Sequence, residues 1–142
     1  MSMNTLVLND FPLTAFDKIR YADTDRQGHV NNAVFSTFIE TGRVEFLYHP
    51  ETDILSENAS FVIAKLELQL LKEMTWPGRV EIGTGILRVG NSSITIYQQL
   101  FQNMICTATA KTIIVQTQDG KSLPLSDQAK SILNSWKINF PT

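Results

Sequence analysis

The chain has 142 residues, 43% of them apolar and 18% charged, with a formal net charge of -2. That length fits one domain, 1–142, burying roughly 68–70% of its unfolded surface, and the apolar share excludes a disordered chain. No Lys or Arg run points to a nucleic-acid partner, and no stretch approaches the roughly 18 apolar residues of a membrane span.

Met1 to Leu8 has no basic start ahead of a short apolar stretch, so a secretory signal is not expected there. The single Cys106 rules out an internal disulfide and suits a reducing, cytoplasmic setting. Lying in the apolar run Met104-Ile105-Cys106, it reads as a packed thiol rather than a nucleophile.

In chain order, Thr14 to Tyr21 alternates loosely and predicts a strand. Arg20 to Asn32 (RYADTDRQGHVNN) then places carboxylates, an imidazole, a glycine and an amide pair on the connection between that strand and a helix. Polar, glycine-containing connections held by rigid elements are where chemistry tends to be placed. Residues 35, 38, 39, 42 and 46 are spaced as one helical face. Asn31 or Asn32 is the expected N-cap, and the helix is expected to reach about Tyr48, with Pro50 beyond it.

From Phe61 the pattern changes to strands. Phe61 to Met74 alternates Lys65, Glu67 and Gln69 with Leu66, Leu68 and Leu70; Leu, Lys and Glu also favour helices, but the alternation favours strand. Pro77-Gly78 breaks the run. Arg79 to Val89, a Gly90-Asn91 turn, Ser93 to Gln102 and Ile105 to Gln116 complete a meander. Asp119-Gly120 is a turn, and Ser126 caps a short terminal helix carrying Ala129, Ile132, Leu133 and Trp136. One long striped helix beside antiparallel strands makes an α+β two-layer domain.

That element order, with the motif Tyr-x-Asp-Thr-Asp-x-x-Gly-His-Val-Asn-Asn, resembles the hotdog-fold acyl-CoA thioesterases, and more narrowly the 4-hydroxybenzoyl-CoA thioesterase family. The resemblance covers roughly residues 12 to 135. It implies a long central helix wrapped by a five-stranded antiparallel sheet, subunits paired edge to edge as a homodimer or tetramer, and active sites between them. It implies hydrolysis of acyl-CoA, with acyl carrier protein thioesters as a variant substrate, and no cofactor. The family's catalytic carboxylate falls on Asp25, and its carbonyl-polarising amide at or beside Asn32. The aromatic after the Asn pair is Phe35, which lacks the hydroxyl common there.

The residues themselves allow this chemistry. The first amides of a helix lack intrahelical partners and sit at its positive end, so Asn32 and Ala33 are expected to offer donors to a developing oxyanion. A carboxylate just upstream acts as nucleophile or general base. Gly28 permits a tight turn and close approach to a ligand. His29 either holds a water near the thioester or is structural. Asn31 is a cap and loop organiser counted with the substrate-binding set, and Asp23 is structural, tied to loop amides or Arg20. Glu40 could assist from the helix, although a solvated or Arg43-paired carboxylate is favoured.

Coenzyme A needs cations for its phosphates. Arg88 stands beside the turn that resembles the family's segment near the pantetheine and nucleotide, and Ser92 in that turn joins it; Lys65, Lys72, Arg79 and Lys111 rank lower. Phe35, Phe38, Ile39, Phe61 and Val62 are candidates for the acyl lining. His29 and His49 stand 20 residues apart with no metal-ligand spacing, and no nucleotide-binding glycine pattern or nucleophile elbow occurs. Two other readings stand beside hydrolysis. A hotdog hydratase would carry Asp and His five apart with a proline, where Asp25 and His29 are four apart without one. The other is a non-catalytic acyl-thioester binding protein. Free strand edges invite aggregation, which makes pairing through sheets the physical expectation.

Overall fold

The computed structural model describes residues 6–139; most of the Met1–Leu8 stretch lies outside them. In chain order the elements are strand β1 (Leu13–Ile19), helix α1 (Asn32–Leu47), strands β2 (Ser60–Leu70), β3 (Gly78–Val89), β4 (Ser93–Gln102), β5 (Ile105–Gln118) and β6 (Lys121–Ser122), and helix α2 (Asp127–Asn134). Every pairing is antiparallel, in the order β1-β3-β4-β5-β2, with β6 attached to β5. The five expected long strands are present, and the two-residue β6 is a sixth that no alternation announced. The sheet curls around α1, giving the hotdog architecture.

α1 forms where its caps and stripe say it should. The Asn31 side chain accepts the Ala33 amide at 3.0 Å, and Phe35, Phe38, Ile39, Gly42, Phe46 and Leu47 are buried against the sheet. Each large apolar side chain so buried contributes roughly 1.5–3 kcal/mol. At the far end Ser126 accepts the Ala129 amide at 3.0 Å and starts α2, whose Ala129 and Leu133 close the core with Phe46, Ile86 and Ile94.

Two strands end short of expectation, each for a local reason. β1 stops at Ile19 rather than Tyr21 because the Asp23 carboxylate accepts the Arg20 amide at 2.8 Å, coiling Tyr21–Asp23 into a 3-10 turn. β2 stops at Leu70 rather than Met74 because the Leu71 and Lys72 amides both donate to the Thr107 carbonyl, at 2.9 and 3.1 Å, turning the chain off the ladder.

Gly42 sets how closely α1 approaches the sheet. A Cβ there would meet Ile82 Cγ2, and Gln98 Nε2 at 2.9 Å. That same Gln98 Nε2 donates to the Ile39 carbonyl at 3.0 Å and to Thr84 Oγ1 at 3.1 Å, tying sheet to helix. Gly42→Ala gains about 1 kcal/mol of helix propensity. Overpacking and a displaced hydrogen bond outweigh it, so a net loss of about 1–3 kcal/mol is expected in urea denaturation. A variant as stable as wild type would show that the helix can lift without cost.

The β3–β4 region is also covered on its outer face. Phe11, Tyr97 and Phe101 pack there with Leu6, Leu8, Cys106 and Ile138. Cys106 is half-buried; burial pushes its thiol pKa up, against hydrogen bonds with the Ala108 carbonyl and the Gln99 amide. It is the packed thiol its sequence neighbours imply.

Candidate active site

The connection between β1 and α1 is a closed reverse turn rather than an open loop. The Asp25 amide donates to the His29 carbonyl at 2.8 Å and the Gly28 amide donates to the Asp25 carbonyl at 3.2 Å. Gly28 has φ +81°, a left-handed conformation with open space around its missing Cβ, so the turn needs glycine for backbone freedom and not for packing. Asp25 Oδ1 accepts two more amides, from Gln27 at 2.9 Å and His29 at 3.2 Å. Its Oδ2 has no hydrogen-bond partner among the described residues. One oxygen organises the turn and the other takes no part in it.

Two clamps fix the turn. On the β1 side Asp23 is buried; its carboxylate accepts the Arg20 amide and guanidinium, and its carbonyl accepts the Asn31 amide at 2.8 Å. Burial pushes the Asp23 pKa up, but the Arg20 hydrogen bonds and charge outweigh it and hold the carboxyl below its ordinary 3.8. A lowered folded-state pKa means stability that is present above the unfolded value and lost as pH falls through the folded one. The stability gap between wild type and Asp23→Asn is therefore expected to be widest above about pH 4 and to shrink below it. Urea midpoints measured from pH 7 to pH 3 check this; a gap that stays constant would remove the ion pair from the account.

On the other side the turn lies against the chain leaving β2. The Val30 amide donates to the Met74 carbonyl at 2.8 Å, His29 bridges to Thr75, and His29 Nε2 stands 3.2 Å from Glu73 Oε2. The imidazole thus engages Glu73, while Asp25 receives only the His29 backbone amide. No Asp–His dyad forms.

A cavity of about 300 Å³ opens here, lined by Asp25, His29, Asn32, Phe35, Leu70, Leu71, Lys72 and Glu73, among others. Asn32 is the first residue of α1 and its amide has no partner among the described residues, whereas the Ala33 amide is taken by the Asn31 cap. The expected pair of donors is therefore one donor, Asn32. Its position at the positive end of α1 favours negative charge.

The structure brings together Asp25, Gly28, His29, Asn31, Asn32 and Phe35, and leaves Arg88 and Ser92 apart. Leu70, Ala108, Leu100 and Ile82 form one row across the sheet beside the cavity. Arg88 is six residues farther along β3, roughly 20 Å at 3.3 Å per residue. Ser92 lies in the β3–β4 turn, its carbonyl accepting the Gln116 amide. Lys72, ranked low from sequence, lines the cavity, and so does Glu73, which had no sequence signal beyond following the β2 run. A larger cleft of about 410 Å³, on the β1 side of α1 with Glu45, His49 and Trp136, has neither the helix start nor Asp25. Among the described residues no group of three His, Cys, Asp or Glu is placed to hold a metal ion, and no helix is long and apolar enough to cross a membrane.

The chain as a whole is similar to known proteins. A family model described as the thioesterase-like superfamily matches residues 19–133. The chain is 26% identical over 120 residues to the Bacillus subtilis protein YsmA, covering 81% of this chain and 80% of that one. It is 24% identical over 123 residues to the acyl-CoA thioester hydrolase YbgC of Escherichia coli O157:H7, covering 84% and 92%. Among solved structures, a protein from Bacillus stearothermophilus described as a predicted thioesterase superposes with TM-score 0.79 at 30% identity, over 92% of this chain and 98% of that one. A thioesterase from Thermus thermophilus, solved with coenzyme A and Zn, superposes with TM-score 0.77 at 25% identity, over 87% and 98%.

Proposed function

The chain belongs to the thioesterase-like superfamily, and from that premise we propose that it hydrolyses acyl-CoA thioesters with Asp25 as the reacting carboxylate. The observation that carries this reading is one cavity lined both by Asp25, whose Oδ2 is unengaged among the described residues, and by Asn32, whose amide is the unpaired first one of α1. Thioester hydrolysis needs those two things: a base or nucleophile, and a donor where the carbonyl oxygen gains charge.

As general base, Asp25 takes a proton from water while the resulting hydroxide adds to the thioester carbon. As nucleophile, it adds directly and water cleaves the acyl anhydride afterwards. In both routes the Asn32 amide holds the tetrahedral oxyanion, and collapse expels the coenzyme A thiolate, a good leaving group that needs little acid assistance. Phe35 and Leu70 give the acyl group an apolar wall, and Lys72 is the cation nearest the cavity for an anionic part of the substrate. His29, engaged with Glu73, positions the turn that carries Asp25. Acyl carrier protein thioesters present the same reacting group and remain a variant substrate.

A homodimer is part of the same reading. The free edge of β2 exposes Val62, Ile63, Leu66 and Leu70, and an apolar edge this long favours pairing with a second copy. Arg88 and Ser92, remote from Asp25 within one chain, are assigned to the nucleotide end of the substrate in that assembly. Two dimers forming a tetramer is the larger assembly consistent with the fold.

The test is thiol release from a panel of short, long and aromatic acyl-CoAs. Release from at least one class is expected; no release from any of them would sink the proposal, and hydration of enoyl-CoA without thiol release would replace it.

A further inference from the structure

Helix α1 carries a charged side chain that the fold buries without partnering. Arg43 is only 6% exposed, yet it makes no hydrogen bond or ion pair with any described residue. Arginine is rarely buried unless paired, because an uncompensated interior charge is costly. Burial pulls the Arg43 pKa down, and the charges of Glu40 and Tyr48 pull it partly back. Glu40, one turn earlier, is exposed and lies outside ion-pair distance of Arg43. Both line a cleft of about 140 Å³ between α1 and the free edge of β2, with Phe61 and Ile63.

The fold constrains what can cover this cleft. Phe35 and Asn32 share a cavity with Leu70, while Arg43 and Leu47 share one with Phe61 and Ile63. The helix and the edge strand therefore run in opposite directions with their middles adjacent. If two β2 edges pair antiparallel about a two-fold axis, the two α1 helices lie side by side, antiparallel, middle against middle. In such an isologous contact, residue i of one copy meets j of the other, and j meets i. Glu40 and Arg43 are three residues apart near the helix centre, oppositely charged and unpaired within their own chain. That is a self-complementary pattern.

We propose that Arg43 of each copy pairs with Glu40 of the other, so that two reciprocal ion pairs close the helix seam of the dimer. The inference rests on the homodimer reading above. It adds a specificity device to that reading: the apolar β2 edge favours association with many surfaces, and the pair accepts only a copy of this chain in the right register.

Sedimentation equilibrium on the full chain tests it. Glu40→Arg leaves four cations at the seam, two facing each other at each pair, and Arg43→Glu leaves four anions. Each variant alone is expected to dissociate, with the dimer Kd raised tenfold or more. An equimolar mixture of the two is expected to form a heterodimer with near wild-type affinity. Rescue by mixing separates a pair between copies from one within a chain, which mixing cannot restore. A dimeric wild type with no rescue overturns the pair alone, and a monomeric wild type overturns the homodimer reading with it; thiol release is read separately and tests the hydrolase. If Arg43→Glu does not fold, a double-mutant cycle with Glu40→Gln and Arg43→Gln reads the same pair. Coupling below twofold in Kd would then overturn it.

Discussion

Asp25→Asn is expected to lower kcat/KM for the preferred acyl-CoA by about 10³-fold or more, the scale of losing a general base or nucleophile. The turn should survive. Oδ1 of an asparagine still accepts the Gln27 and His29 amides that Asp25 Oδ1 accepts now, at 2.9 and 3.2 Å. Only the oxygen without a partner changes, becoming an amide nitrogen that neither attacks a carbonyl nor takes a proton. Thiol release measured beside a thermal melt separates the outcomes. Lost activity with an unchanged melting temperature supports the carboxylate role, and activity kept within about threefold ends it.

Asn32→Pro is the second large effect, aimed at a backbone amide that no side-chain deletion can reach. Proline at the first helical position is compatible with the helix, whose geometry there suits its fixed φ. It also demands an extended residue before it, and Asn31 already has φ -59° and ψ 138°. The substitution therefore removes one N–H and keeps the helix. Loss of one oxyanion donor costs about 10²–10³-fold in kcat. Asn32→Ala is the control, since it removes the side chain and keeps the amide, and it should stay within a few-fold of wild type. Equal losses in both variants would mean that the side chain, not the N–H, carries the role.

These two variants probe a site that was only half legible along the chain. The carboxylate and the helix start were readable because they are local: Asp25, Gly28 and the Asn31 cap lie within seven residues and obey turn and capping rules that need no neighbour. The second wall was not. Lys72 and Glu73 come more than 40 residues later, and they reach the cavity because the chain leaves the β5 ladder at Leu71 and folds back along the turn. Asn32 was expected as a donor, but so was Ala33, and that excess has a subtler reason. Capping theory predicts unpaired first-turn amides, but only the folded structure shows that Asn31 commits its side chain to Ala33 and leaves the Asn32 amide without a partner among the described residues.

The sequence by itself determined the element order, the extent of α1 to within a residue of its end, and the hairpins. Those follow from hydrophobic period, caps and turn residues, which act over a few positions. Tertiary structure alone decided which oxygen of Asp25 is free, that His29 faces Glu73, that Arg88 stands far from Asp25 within one chain, and that Arg43 is buried unpaired. Each of these depends on strand register and on how the sheet curls around the helix. Register and curl are settled by side chains distant in sequence competing to bury the same surface.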